Sequence, residues 1–137
     1  MTTTTHIATA KLLSVLTLNP FVAFVIGFGS HAVLDVIEPQ EYSVNLFSWG
    51  KDRGFIILEI ILTLTLIALS FFNRIYLFAM LGAILPDLID GIACIINPER
   101  YEKGEHIFPF HRPKQVKELT KLQTILLSTV LFLGVVL

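Results

Sequence analysis

This sequence has few charged residues. Of its 137 residues, 15% are charged and 54% are hydrophobic. A soluble domain is about a quarter charged, and a chain of this size leaves much of its surface exposed. So few charges cannot cover that surface in water, and the composition therefore predicts a protein whose surface is partly in contact with lipid.

Other absences narrow the class further. Cys94 is the single cysteine, so an intrachain disulfide is excluded, and we interpret it as a buried, inert thiol. The net charge of −1 gives no general attraction to nucleic acid. Residues 1–10 have no basic region of the kind that opens a secretory signal peptide, so we expect no cleaved signal. With no internal repeat, residues 1–137 are expected to form one helical membrane domain.

Long apolar segments dominate the rest of the chain. A membrane-spanning helix needs about 20 apolar residues. Four segments approach this length: Pro20–Ile37, Gly54–Phe72, Ile75–Ile96 and a stretch that begins amphipathically at Val116 and is apolar over Leu122–Leu137. Thr5–Leu18 is shorter and reaches about 21 Å as a helix. It could span a thinned bilayer, tilt in the interface, or pack against the helix that follows. The sequence predicts an all-α integral membrane protein with four to five transmembrane helices.

The basic residues predict an orientation. If all five segments cross, the N-terminus, the 38–53 loop and the 97–121 region lie on the same side. That side holds Lys51, Arg53, Arg100, Lys103, Arg112, Lys114, Lys117 and Lys121, whereas the opposite side holds Arg74. Cytoplasmic loops are the ones enriched in Lys and Arg. We therefore expect a multi-pass protein of the cell membrane with this side in the cytoplasm.

Ionisable residues within the apolar segments occur in spaced groups. His31 and Asp35 are four residues apart, and Asp87 and Asp90 are three apart, so each pair shares one helix face. Such residues are costly inside a membrane and mark functional sites. The other candidates are His6, Glu38, Glu59, His106 and His111. In the orientation above, all of them lie near the basic side, which predicts a polar site at one membrane face.

A bound metal would explain this concentration of carboxylates. Carboxylates that lie close together repel each other, and a divalent cation between them removes the repulsion. Mixed imidazole and carboxylate ligands suit zinc, manganese or iron, and we expect zinc or manganese. His31, Asp35, Asp87 and Asp90 are the expected ligands. A site with two such ions would suit hydrolysis of a phosphoester.

Each feature also has a purely structural interpretation. His31 and Asp35 could form a hydrogen-bonded pair, Asp90 could belong to a turn that ends a helix, and Glu59 could pair with a loop cation. The basic residues over 112–121 could serve as an orientation and lipid-headgroup signal. A metal site is favoured because the features converge on one face.

Several blocks of the sequence resemble a known family. The stretches GFGSHAVLD over 27–35 and GAILPDLIDG over 82–91, together with Thr5-His6, are similar to the signature blocks of small bacterial and archaeal membrane-bound metal-dependent hydrolases. HIFPFHR over 106–112 resembles their histidine-bearing loop. That family is regarded as distantly like zinc-dependent phospholipase C. The resemblance implies the metal ligands His6, His31, Asp35, Asp87, Asp90 and one of His106 and His111.

The expected activity is hydrolysis of a phosphoester, plausibly in a lipid headgroup. Glu38 or Glu59 would act as general base, and Arg112 and Lys114 would bind the phosphate, arginine being the better bidentate partner. Membrane lipid is the expected partner, with homo-oligomerisation open. Two alternatives remain at this stage: an ion-binding or transport protein, and a non-catalytic membrane scaffold whose structural metal site is closed to water.

Overall fold

The computed structural model of the chain describes residues 2–37, 49–97, 99, 107–108, 110 and 121–136. This part of the chain is helical and has no strand. The helices are α1 (Thr3–Ser14), α2 (Pro20–Ile37), α3 (Trp49–Phe71), α4 (Arg74–Ile96) and α5 (Lys121–Val136). The prediction of an all-α protein is confirmed.

A polar residue immediately before the first turn caps three of these helices. The Thr2 hydroxyl accepts a hydrogen bond from the Thr5 amide at 3.3 Å, and the Asn19 side chain accepts one from the Phe21 amide at 2.9 Å. Asn73 does the same for Ile75 at 2.9 Å. Each bond satisfies an amide that has no partner within its helix. Asn19, followed by Pro20 at the first position of α2, and Asn73 lie in the short connections from α1 to α2 and from α3 to α4.

The short helix α1 lies in the middle of the bundle. It has 12 residues, about 18 Å of helix, and it packs against all four other helices. It ends at Ser14, so the expected segment Thr5–Leu18 was placed too far along the chain. Packing as a short helix against its successor, one of the three placements that the sequence left open, is seen in its contacts with α2. Its contacts extend well beyond the helix that follows.

The distribution of polar and apolar side chains is inverted relative to that of a water-soluble protein. The buried side chains of α1 include Thr4, Thr5, His6, Lys11 and Ser14, all at most 2% exposed. Large apolar side chains point outward instead: Leu18, Phe72 and Ile95 are 93%, 89% and 81% exposed.

Two of the described helices are long and apolar enough to cross a membrane, over Arg53–Phe71 and Arg74–Ala93. Pro20–Val36 and Leu122–Val136 are apolar but shorter, and α1 is shorter still. By length and composition alone, the described residues therefore support two spans and do not support the expected four or five. The reason is physical: the three remaining helices fall short of the usual thickness of the bilayer core.

A close crossing of α2 and α4 positions the polar residues. A Cβ atom on Gly27 would overlap the Ala79 carbonyl, and one on Gly82 would overlap the Phe24 carbonyl. Only glycine allows two backbones to approach so closely. The contacts advance in the same direction along both helices, because His31, one turn after Gly27, lies against Ala83. This crossing therefore brings the end of α2 beside the second half of α4.

Candidate metal centre

Three helices bring imidazole and carboxylate groups together beside the second halves of α2 and α4. His6 comes from the first turns of α1, His31 and Asp35 from the last turns of α2, and Asp87 from α4. One ring nitrogen each of His6 and His31 and one Asp87 oxygen lie within 4.8 Å of one another. Such a group could hold a single metal ion.

Asp35 links the two histidine rings. Its Oδ1 atom lies 3.3 Å from His6 Nε2, and its Oδ2 atom lies 3.1 Å from His31 Nε2. Asp87 Oδ1 is 3.6 Å from the same His31 nitrogen. The spacing of four residues between His31 and Asp35 places both on one face of α2, as helix geometry requires.

The orientation of the His31 ring follows from its other nitrogen. His31 Nδ1 lies 2.6 Å from the carbonyl oxygen of Ala83. A carbonyl oxygen can only accept, so Nδ1 carries the proton and donates it. In the neutral ring, Nε2 then has a bare lone pair directed at the oxygens of Asp35 and Asp87. Those groups repel each other unless a proton or a cation lies between them. A hydrogen bond from the second ring nitrogen to a carbonyl is also the usual arrangement of a metal-binding histidine.

The stacking of the two imidazoles limits how many protons they can carry. The ring centroids of His6 and His31 are 3.9 Å apart and the planes are inclined by 18°. Both residues are buried, at 1% and 0% exposure. Two protonated rings would place like charges face to face in a region of low dielectric, which is unfavourable. A single proton on one ring, or one divalent cation bound by a nitrogen of each ring and the carboxylates, would avoid that repulsion.

The cluster is closed on one side and open on another. The side chain of Asp35 is 11% exposed, whereas that of Asp87 is 48% exposed. Water or a substrate can therefore reach the group beside Asp87.

Asp90 does not join this group, although it follows Asp87 on the same helix. Its Oδ1 atom accepts a hydrogen bond from the Ile107 amide at 2.9 Å, and the residue is 6% exposed. The short segment at Ile107 and Phe108 is thereby attached to α4. The structure thus separates two aspartates that the sequence treated alike.

Glu59 also lies outside the group. It is on α3, where the Thr4 hydroxyl donates to its backbone carbonyl at 3.4 Å. Both carboxylate oxygens are buried, and neither has a hydrogen-bond partner among the described residues. The suggested pairing with a loop cation is therefore not seen in the described part of the chain.

Five of the candidate residues lie outside the described residues. They are Glu38, His106, His111, Arg112 and Lys114. Their roles as general base, ligand or phosphate-binding group stay predictions.

One buried residue was missed by sequence reasoning. The Lys11 side chain is 2% exposed, and its Nζ donates to the Leu66 carbonyl at 3.4 Å and lies 4.9 Å from the centre of the Tyr76 ring. The available signal was a lysine in the middle of a short apolar segment, which is costly for a membrane helix. No comparable signal in the sequence pointed to the Ala83 carbonyl, which is a backbone group 52 residues from His31.

Comparisons with protein families, with curated proteins and with solved structures find no match to this chain. The resemblance to membrane-bound metal-dependent hydrolases therefore stays a prediction from the motifs alone.

Proposed function

We propose that this protein is a membrane-bound, metal-dependent hydrolase of phosphoesters. His6, His31, Asp35 and Asp87 would hold a divalent cation, zinc or manganese. One observation carries the proposal: His31 donates Nδ1–H to Ala83 and directs its other nitrogen at two carboxylates. Zinc and manganese both accept mixed nitrogen and oxygen ligands.

The large apolar side chains on the outside of the bundle support the membrane assignment. Apolar side chains on the outside are stable in lipid and would aggregate in water, while the buried hydroxyls and amines of α1 find partners inside. We propose four to five crossings, in which α3 and α4 span fully and the shorter α2, α5 and α1 are accommodated by local thinning of the bilayer. The excess of Lys and Arg in the 38–53 and 97–121 regions supports our proposal that the metal cluster faces the cytoplasmic side of the cell membrane.

The chemistry would depend on the open side of the cluster. A divalent ion there would polarise a phosphoryl oxygen and favour attack by water. Besides binding the ion, Asp35 would fix the orientation of both imidazole rings. Asp87, whose side chain is half exposed, would bind the ion on the side from which a substrate approaches. Glu38 or Glu59 would take the proton from water, and Arg112 and Lys114 would bind the phosphate.

The position of the cluster supports a headgroup substrate. His31, Asp35 and Asp87 lie in the second halves of α2 and α4, and we take the cluster to lie toward one face of the bilayer and not at its centre. Transport sites usually lie near the middle of the bilayer. A phosphoester of a membrane lipid would present its phosphate at the level where this cluster lies, and membrane lipid is therefore the proposed partner.

Hydrolysis by the purified protein tests the proposal. We expect detergent-solubilised protein to cleave a phospholipid or a related phosphoester, to lose activity with a chelator and to regain it with zinc or manganese. Asp35→Asn keeps the shape of the side chain but removes its charge, so activity should fall about 100-fold or more. Glu99→Gln, an exposed carboxylate on the described part of the chain, is the matched control and should keep full activity. No cleavage of any phosphoester by fully metallated protein would contradict the proposal.

A second candidate function is cation transport. It is favoured by two ionisable residues on the packed helices α1 and α3, Lys11 and Glu59, which are not among the residues of the metal cluster. Buried ionisable residues of this kind line ion and proton paths in other membrane proteins. Proteoliposomes that conduct a cation, with loss of conduction in Asp35→Asn and no phosphoester cleavage in parallel assays, would favour transport over hydrolysis.

A further inference from the structure

Asp87 and Asp90 share a face of α4, and yet their surroundings differ. Asp87 lies beside His31 Nε2 at 3.6 Å and is half exposed. Asp90 is buried and accepts the Ile107 amide at 2.9 Å. A carboxylate that accepts a backbone amide forms a strong, charge-assisted hydrogen bond. That bond fixes Ile107 against α4.

The residues next to Ile107 complete an aromatic cluster against α2. The rings of Phe108 and Phe110 are stacked, with centroids 5.1 Å apart. Both meet Phe28 edge-on, at 5.9 Å and 6.5 Å. These distances are in the favourable range for aromatic pairs. The segment that contains Ile107, Phe108 and Phe110 is therefore held at two points, by Asp90 on α4 and by Phe28 on α2.

This aromatic cluster also contacts the candidate metal centre. Phe110 lies edge-on to the His31 ring, with centroids 5.9 Å apart, and His6 stacks on the same ring at 3.9 Å. The His31 imidazole thus has aromatic contacts with two residues and a hydrogen bond to Ala83. Its freedom to rotate about the Cβ–Cγ bond is restricted from several directions.

We infer that Asp90 is a positioning residue that holds the segment of Ile107, Phe108 and Phe110 against His31, and that it is not a metal ligand. The inference rests on the proposed metal site. It assigns the two aspartates of α4 different roles: Asp87 binds the cation, whereas Asp90 keeps the aromatic segment in place and so keeps His31 Nε2 directed at Asp35 and Asp87.

Cobalt binding distinguishes the two roles, because the visible spectrum of bound Co²⁺ reports its ligand geometry. Asparagine retains an oxygen that can accept the Ile107 amide but is a poor replacement for a carboxylate ligand. We expect Asp90→Asn to bind Co²⁺ with the parent spectrum and within about threefold of the parent affinity, since the weaker neutral hydrogen bond is supported by the contact of the segment with Phe28. The matched variant Asp87→Asn should change the spectrum and bind at least about tenfold more weakly.

Removing the carboxylate of Asp90 altogether should have a different effect from Asp90→Asn. Asp90→Ala loses the acceptor altogether, so Co²⁺ affinity should fall by about tenfold, as for the loss of other groups that orient a ligand. Phe110→Leu should weaken binding in the same direction. Because both changes release the same contact, the double variant should bind about as well as the weaker single variant.

Hydrogen exchange at the Ile107 amide provides a readout that needs no metal. Exchange in the peptide that contains Ile107 should be faster in Asp90→Ala than in the parent and unchanged in Asp90→Asn. Parental exchange in Asp90→Ala would contradict the inference, with or without bound cobalt.

These results also distinguish failure of the inference from failure of the proposed function. Loss of Co²⁺ in Asp90→Asn to the extent seen in Asp87→Asn would make Asp90 a ligand and overturn the inference, while leaving the metal site intact. A parent protein that binds no Co²⁺ would overturn the metal site, and because the inference requires that site, it would be overturned too. The exchange data would then show only whether Asp90 anchors the segment.

Discussion

The Nδ1 atom of His31 donates a hydrogen bond to the backbone carbonyl of Ala83, 2.6 Å away across the contact between α2 and α4. This bond sets which ring nitrogen is available for a cation. It also makes the candidate metal centre depend on the close approach of the two helices.

The first prediction concerns the close approach of α2 and α4. Gly27→Ala would place a methyl group against the Ala79 carbonyl, so α2 and α4 should move apart. We expect the protein to lose about 1–3 kcal/mol of stability and to bind metal more weakly, because Ala83 moves away from His31. Thermal unfolding followed by circular dichroism in detergent, together with metal analysis, measures both effects.

Gly29→Ala is the control for this change. A Cβ atom on Gly29 meets nothing within 4 Å, so this variant should be as stable as the parent or gain roughly 0.5–1 kcal/mol from the better helix former. Equal behaviour of the two variants would show that the crossing of α2 and α4 is not as close as described.

The second prediction concerns Glu59. Its two carboxylate oxygens are buried without a hydrogen-bond partner among the described residues, and a buried charge without a partner is destabilising. Glu59→Gln should therefore raise the free energy of unfolding by roughly 1–2 kcal/mol and leave the metal content unchanged. If Glu59 is the general base, the activity of this variant falls while its metal content stays at the parental level.

The stability of Glu59→Gln can also contradict the interpretation that the buried Glu59 charge destabilises the protein. A clear loss of stability in Glu59→Gln would mean that the carboxylate charge is compensated by a group outside the described residues. Glu59→Met, which removes all hydrogen-bonding capacity, should be tolerated as well as Glu59→Gln if the charge is the source of the destabilisation.

The third prediction concerns orientation in the membrane. The 97–121 region carries most of the basic residues, so we expect it in the cytoplasm. In a Cys94→Ser background, a cysteine at Glu102 should resist a membrane-impermeant thiol reagent in intact cells and react after lysis. A cysteine at Phe72, which is 89% exposed at the opposite end of α3, should react in intact cells. The reverse pattern of labelling would contradict the orientation.

The sequence predicted the helices well where apolar composition alone determines them. Pro20–Ile37 was expected and is observed, and the helix expected over Ile75–Ile96 begins one residue earlier, at Arg74. The helix expected over Gly54–Phe72 begins five residues earlier, at Trp49, and ends at Phe71, since apolar composition marks the span within a helix and not where the helix itself begins. The central position of α1 was not predictable, since it results from contacts with helices far away in the chain.

The candidate site was predictable only in part, for a similar reason. Helical spacing placed His31 and Asp35 on one face, and both are in the cluster. The same reasoning could not separate Asp87 from Asp90, because residues three apart share a face. Contacts between distant parts of the chain distinguish them: Asp87 lies beside His31, and Asp90 accepts the amide of Ile107, 17 residues away.

The metal content of the purified protein tests the central claim most directly. Elemental analysis after exposure to zinc or manganese and removal of excess ion should find at least one ion per chain in the parent. His31→Ala and Asp87→Ala should each lose most of it, because each variant removes one ligand that the others cannot replace, while Glu99→Gln keeps the parental content. All variants must insert and unfold like the parent. Parental metal content in both His31→Ala and Asp87→Ala would contradict the account.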